Sequence, residues 1–367
     1  MNILQIYYEP IPAGQGTHVL ALVRGLLQKA KHHVTVALPQ NLPRSIAAFE
    51  QAGAKVFPLP MNKLLWRPGA AGRLASLIRR QDFDIVHVHS QEAGISARLI
   101  ARAAGARRIF YTPQTIDIRQ TAWHWLYVWV ERGLARLTDA IISVNEADRM
   151  RMVAWGIPAH KIVTVPNGID LSTLDEPADP DLSRRAFGLD VAGPVVMQVG
   201  RLSLQKDPLT FVEGAAHVVR ACPGAQFVLL GEGPLSETLR ARIHALGLDA
   251  HVHLLGWRSD AALLMAAADV VTLSSRWEGS PHTLLEAMAR SRPVVATAVN
   301  GCPEIVLDGI TGYLSPPGDA AEWARQVARL LNDPAQAAAM GKRGRQRVEE
   351  HFGLPEMIAR IERLYAS

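Results

Sequence analysis

In the run Ser275-Arg276-Trp277-Glu278-Gly279-Ser280-Pro281-His282-Thr283-Leu284-Leu285-Glu286, two carboxylates stand on either side of a Gly-Ser-Pro step. The apolar residues Val270–Leu273 just before it read as a strand. Ser280 suits an N-cap and Pro281 the first position of a helix that continues through Ala289. Such a helix leaves the backbone N–H groups of His282, Thr283 and Leu284 unpaired at its positive end. That geometry suits a phosphate or pyrophosphate. Glu278 ahead of the turn and Glu286 one turn inside the helix can accept hydrogen bonds from sugar hydroxyls. The expected chemistry is recognition of a nucleotide sugar.

Other residues extend this reading. Gly200-Arg201-Leu202-Ser203-Leu204-Gln205-Lys206 follows an apolar strand, which places Arg201 and Lys206 at a strand carboxyl end, where two cations can neutralise a departing diphosphate. Gly14-Gln15-Gly16 follows the first strand and precedes a helix from Thr17, so its backbone can approach a diphosphate, although the full dinucleotide fingerprint is missing. Gly231-Glu232-Gly233 and Gly256-Trp257 end later strands and read either as plain turns or as loops under the donor and against its base. Asp82-Phe83-Asp84 has the Asp-x-Asp form of metal-dependent sugar transferases, but it precedes a strand and so lies at the wrong sheet edge. His87 and His89 share a strand face without a third ligand, and a buried pair is the expectation. No metal site is expected.

These residues need a scaffold, and the hydrophobic pattern supplies one. Strands are expected at Ile3–Tyr7, Val34–Leu38, Lys55–Leu59, Ile85–His89, Arg108–Thr112, Ala140–Val144 and Ile162–Val165, with helices between them at Thr17–Ala30, Arg44–Ala52, Ala70–Arg80, Gly94–Ala104, Thr121–Leu137 and Glu146–Trp155. The pattern restarts with strands at Val195–Val199, Gln226–Leu230, His251–Leu254, Val270–Leu273 and Pro293–Ala296. The fold class is therefore α/β, as two Rossmann-like, doubly wound parallel-sheet domains facing a central cleft. The expected division is residues 1–170 for the acceptor-binding domain, 171–190 for a linker, 191–350 for the nucleotide-sugar domain and 351–367 for a helix crossing back to the first domain.

Composition narrows the setting. The chain has 367 residues, 49% hydrophobic, and only two cysteines, Cys222 and Cys302, which rules out a disulfide framework. No basic leader or spanning apolar run is present, so a cytoplasmic location is expected, with or without peripheral attachment to the inner face of the membrane. Residues 1–170 carry 20 Lys+Arg against 11 Asp+Glu, net +9, while the remainder is net −4. Together with Trp123, Trp125 and Trp129, this basic half suits either an anionic membrane surface or an ordinary solvated face. Nucleic acid is not expected, because no recognition motif accompanies the charge.

The chain resembles the retaining GT-B glycosyltransferases of family 4, the glycosyl transferases group 1. The resemblance runs through the glycines at 14 and 16, Asp84–Ser90, Pro166-Asn167-Gly168-Ile169-Asp170, Val199–Leu202 with Lys206, the Glu278/Glu286 pair and Gly301–Val306. It implies that Arg201 and Lys206 bind the donor diphosphate, that Glu286 takes the ribose hydroxyls and that Glu278 contacts the transferred sugar. Asn167, Gly256, Trp257 and the backbone N–H groups from Gly279 and Ser280 to Leu284 join the donor set on the same ground. The implied activity is transfer, with retention and without a metal or other cofactor, of a hexose-type sugar from a nucleotide diphosphate sugar. UDP is favoured and GDP is the second choice, with a glycan, lipid-linked or polyprenyl-linked acceptor in cell-surface polysaccharide or glycolipid synthesis. Gln114 stands where similar enzymes often carry a cleft histidine, and an amide cannot exchange a proton near neutral pH. Asp117 is a secondary polar candidate there. A nucleotide-sugar epimerase or hydrolase on the same fold, or a non-catalytic donor-binding subunit, are the alternatives.

Overall fold

The computed structural model describes residues 1–11, 14–28, 31–61, 68–116, 124–174 and 193–367, apart from the side chains of Pro68, Glu92 and Thr173. The chain divides into two compact units, Met1–Gly168 with Leu354–Ser367, and Ile169–Gly353. Most of the expected linker, from 175 onward, falls outside the described residues.

The first unit alternates strands β1 (Asn2–Ile6), β2 (His33–Pro39), β3 (Lys55–Leu59), β4 (Ile85–His89), β5 (Ile109–Thr112), β6 (Ala140–Ser143) and β7 (Ile162–Thr164) with helices α1 (Gly14–Gln28), α2 (Pro43–Gln51), α3 (Pro68–Gln81), α4 (Gln91–Ala103), α5 (His124–Ala135) and α6 (Glu146–Ala154). Its strands form one parallel sheet in the order β3-β2-β1-β4-β5-β6-β7. Strand β4 is buried along its whole length, as a central strand covered on both faces must be. Local chemistry starts the helices that follow strands: Ser90, held at φ +83, accepts from Ala93 N ahead of α4, and Asn145 accepts from Asp148 N ahead of α6.

The last helix, Leu354–Ala366, completes this unit's core with Met357, Ile358, Ile361 and Tyr365. The Tyr365 hydroxyl lies 2.5 Å from His87 Nδ1 and 3.2 Å from Gln5 Nε2, while His87 Nε2 is 2.8 Å from Thr112 Oγ1. His89 Nε2 meets Gln5 Oε1 at 2.6 Å. Burial first, and then the neighbouring imidazoles, hold His87 and His89 well below the usual histidine range, so both are neutral structural groups. Asp82 and Asp84 sit at the opposite, amino-terminal edge of β4, where Asp84 accepts from Asn2 N at 2.8 Å and both face Arg107.

The second unit runs β8 (Val195–Val199), α7 (Pro208–Ala221), β9 (Gln226–Leu230), α8 (Ser236–Ala245), β10 (Val252–Leu254), α9 (Ala261–Leu264), β11 (Val270–Leu273), α10 (His282–Ala289), β12 (Val294–Thr297), α11 (Cys302–Ile305), β13 (Gly312–Ser315), α12 (Ala320–Asn332) and α13 (Pro334–His351); the last helix of the chain is then α14. Its parallel sheet has the order β10-β9-β8-β11-β12-β13. Alternate residues feed two cores: Val195 and Met197 of β8 enter one, and Val196 the other. Strand β13 is an edge strand that the hydrophobic pattern misses, because it opens on a glycine and spans four residues.

Candidate functional site

In the second sheet the order reverses between β8 and β11, a topological switch point of the kind beside which open α/β sheets bind ligands at the strand carboxyl ends. Several hydrogen bonds join the loops that leave these two strands. Ser274 Oγ lies 2.9 Å from both Gln198 Oε1 and Asp207 O, and Arg276 N donates to Gln205 O at 2.8 Å. Gln205 Nε2 returns a bond to Trp277 O at 3.2 Å. Asp207 adopts the left-handed conformation (φ +42) just before Pro208 and accepts from Thr210 Oγ1 at 2.9 Å and Arg276 Nε at 3.0 Å. This joinery sets the preceding residue, Lys206, with its Nζ 2.5 Å from Glu278 Oε1. Ser275 Oγ donates to the same carboxylate oxygen at 2.5 Å.

The Glu278 side chain is 6% exposed and the Lys206 side chain 19%, so the pair is largely withdrawn from solvent. Arg201, by contrast, is exposed and makes no side-chain hydrogen bond or ion pair among the described residues. Behind it the close glycines are sterically required: a Cβ on Gly231, at φ +146, would lie 2.0 Å from Gly200 O, and one on Gly233 would lie 2.3 Å from Leu202 O. Gly256, at φ +69, accepts from Gly231 N at 2.7 Å, and the neighbouring Trp257 ring is 42% exposed.

The start of α10 differs from the sequence expectation. The helix begins at His282, and Pro281, extended at φ −71 and ψ 115, occupies the capping position that Ser280 was expected to hold. A proline has no side chain to cap with, and its extended ψ keeps it outside the helix. Leu284 N is also not a free donor, since it bonds to Pro281 O at 3.2 Å. Among the described residues, the amides of His282 and Thr283 are the first-turn donors without an acceptor, and Thr283 Oγ1 is tied to Val199 O at 3.4 Å. Among the described residues, the buried His282 ring leaves Nε2 without a hydrogen-bond partner, and burial, helped by Lys206, lowers its pKa to about 4. Gly279 and Ser280 are buried in the turn between Glu278 and the helix. Half-buried Glu286 has its carboxyl pushed up to about 7 by burial, against an opposing pull from Arg290.

The remaining predicted positions belong to the first unit. Gly14 and Gly16 lie in the first turn of α1, not in a loop ahead of it. Gly16 is needed for packing: a Cβ there would fall 2.4 Å from the hydroxyl of buried Tyr7, whereas one on Gly14 would meet nothing within 4 Å. Gly16→Ala is therefore expected to cost about 1–3 kcal/mol of stability through overpacking, and Gly14→Ala essentially none, as calorimetric melting would register. Gln114 sits at φ +68 and keeps a buried Nε2 without a partner among the described residues, a conformation and an unmet donor that a side chain bound only for packing does not need. Asn167 is 3% exposed. Asp117 and Trp123 fall outside the described residues. Among the described residues, no group of three or more His, Cys, Asp or Glu side chains is placed to hold a metal ion.

Comparison with known proteins fits this arrangement. The family described as Glycosyltransferase Family 4 matches residues 12–173, and the one described as Glycosyl transferases group 1 matches residues 179–347. The chain is 30% identical over 300 residues, covering 80% of it and 77% of its relative, to UDP-Gal:alpha-D-GlcNAc-diphosphoundecaprenol alpha-1,3-galactosyltransferase of Escherichia coli. It is 28% identical over 297 residues, 80% of this chain and 77% of the other, to N-acetyl-alpha-D-glucosaminyl L-malate synthase of Bacillus anthracis. The crystal structure of Anabaena HepE in complex with UDP-glucose superposes with a TM-score of 0.88 at 22% identity, covering 100% of this chain and 99% of that one. The chain belongs to the family 4, group 1 glycosyltransferases and has their GT-B fold.

Proposed function

We propose that this enzyme transfers a hexose-type sugar, with retention of anomeric configuration, from a UDP-sugar to a lipid-linked acceptor of the polyprenyl diphosphate kind. The observation that carries the reading is the Lys206–Glu278 ion pair at the switch point between β8 and β11, with Arg201, which has no side-chain partner among the described residues, on the same loop as Lys206. The E. coli relative is named for UDP-galactose and a diphosphoundecaprenol acceptor, and Anabaena HepE was solved with UDP-glucose; both support the choice of donor, and the first supports the acceptor class.

The chemistry follows from the groups available. The sugar C1–O bond to the diphosphate breaks and its electron pair passes to the leaving oxygen, where Arg201, Lys206 and the amides of His282 and Thr283 stabilise the growing charge. The acceptor oxygen bonds to C1 from the same face, and its proton passes to the departing diphosphate. Glu278, oriented by Lys206 and Ser275, receives hydroxyls of the sugar, and Glu286 receives those of the ribose. Gln114 binds a hydroxyl and takes no part in proton transfer. The leaving-group charge is met by side chains and amides, and no divalent ion enters this scheme.

A thermal-shift screen of UDP-, GDP- and ADP-sugars tests the donor. At a hundred times its dissociation constant the right donor should stabilise the protein by about 2.7 kcal/mol. A screen in which no nucleotide sugar raises the melting temperature would remove the proposal.

A further inference from the structure

Helix α5 turns an unusual face outward. Its inner side buries Glu131, Leu134 and Ala135, and the Glu131 carboxylate takes bonds of 2.7 and 2.8 Å from Nη2 of the fully buried Arg98. The Arg98 guanidinium in turn lies 3.8 Å from the centroid of the Tyr111 ring. This anchored ion pair fixes the rotation of the helix, and with it what faces water.

The outward stripe is Trp125, Trp129 and Arg132, spaced four and three residues apart as one helical face requires, and it continues into exposed Arg136 just past the helix end. Trp125 is 59% exposed, Trp129 64% and the adjoining Leu126 42%. Two indoles left this open are costly in water unless something covers them. At the end of the stripe Trp129, Arg132, Arg136, Gly156 and Lys161 line a pocket of about 220 Å³. Lys161 Nζ donates to Ala135 O and Thr138 O, both at 2.9 Å, and so cancels the negative helix end that would otherwise repel an anion. No carboxylate competes on the stripe, because the acid of α5, Glu131, is buried and paired with Arg98.

We propose that this stripe is a membrane-docking edge. Trp125, Leu126 and Trp129 enter the boundary between headgroups and acyl chains, while Arg132, Arg136 and Lys161 hold a lipid phosphate in the pocket beside them. Charge complementarity selects an anionic bilayer: the cations cluster next to the indoles, within a stretch, residues 1–170, whose net charge is +9. The inference rests on the surface of the first unit alone and does not depend on the donor assigned above.

Flotation of the full-length protein with vesicles of phosphatidylcholine, with and without phosphatidylglycerol, tests it. The parent should float with the phosphatidylglycerol vesicles and not with phosphatidylcholine alone. Arg132→Ala/Arg136→Ala should lose roughly thirtyfold in partitioning, with a weaker salt dependence. Trp125→Ser/Trp129→Ser should lose at least about tenfold with an unchanged melting temperature. Parental flotation by both double variants, or equal binding to both vesicle types, overturns the proposal. So does a dimer that Trp129→Ser dissociates while vesicles bind neither protein, which would make the stripe a protein interface.

Discussion

Lys206→Ala is expected to lose at least about a hundredfold in kcat/KM and also to melt at a lower temperature than the parent. The two losses have different physical origins. On the proposed mechanism the turnover loss reflects one missing charge at the leaving diphosphate, about 2–4 kcal/mol of barrier. The stability loss reflects what remains: a Glu278 carboxylate only 6% exposed, with Ser275 as its surviving side-chain donor. Leaving such a charge unpaired costs about 3–5 kcal/mol when burial is complete, and a little less here because Lys206 is 19% exposed. A compensating variant separates the two. Lys206→Met/Glu278→Gln removes both charges at similar volume, so its melting temperature should return toward the parent while its activity does not. Calorimetric melting and steady-state kinetics on the three proteins measure both effects. Parental turnover in Lys206→Ala would take Lys206 out of the donor site altogether.

The reason this site could be anticipated at all lies in its place in the topology. Strands such as Ile85–His89, Val195–Val199, Gln226–Leu230 and Val270–Leu273 are short apolar runs buried on both faces, and their ends in the structure coincide with those the hydrophobic pattern sets. Residues just beyond β8 and β11 then had to converge. What the pattern could not reveal is how they are held. Ser274 reaches Gln198 across 76 residues of chain, and Arg276 reaches Asp207 across 69; no local spacing encodes either contact. The left-handed Asp207 that aims Lys206 is an ordinary aspartate in sequence. The one-residue slip at the start of α10 has the same character, since Pro281 fits a first helical position and an extended cap equally well until ψ is known. Gly16 shows the opposite error: a glycine near a helix start suggests a phosphate, yet the Tyr7 hydroxyl behind it, nine residues away, explains its size. Side-chain exposure was equally hidden, and only the Arg98–Glu131 pair reveals that Trp125 and Trp129 face outward.

Glu286→Gln is expected to weaken donor binding roughly tenfold to a hundredfold above pH 7, the worth of charge-assisted hydrogen bonds from ribose hydroxyls, and to make the free protein more stable there. Both follow from a carboxyl whose pKa burial raises from 4.5 to about 7. The folded state favours the protonated acid, so this group's contribution to stability is whole below pH 4.5 and is lost as the pH rises through 7. The loss is at most about 3 kcal/mol, less whatever hydration the incompletely buried side chain retains. The glutamine variant has no proton to lose, and its stability advantage should appear between those limits and vanish below them. Donor binding runs the other way. Ribose hydroxyls favour the carboxylate, so the bound enzyme holds it ionised, and the parent's affinity should climb from pH 5 to about 7 and then level off. Neighbouring His282, lowered to about 4, stays neutral throughout and contributes no step of its own. The phosphodiester groups of a nucleotide sugar do not titrate in this range either. Calorimetry in two buffers of different ionisation enthalpy should therefore detect a proton released on binding near pH 6 in the parent and none in Glu286→Gln. Equal, pH-independent affinities in the two proteins would mean that the ribose lies elsewhere.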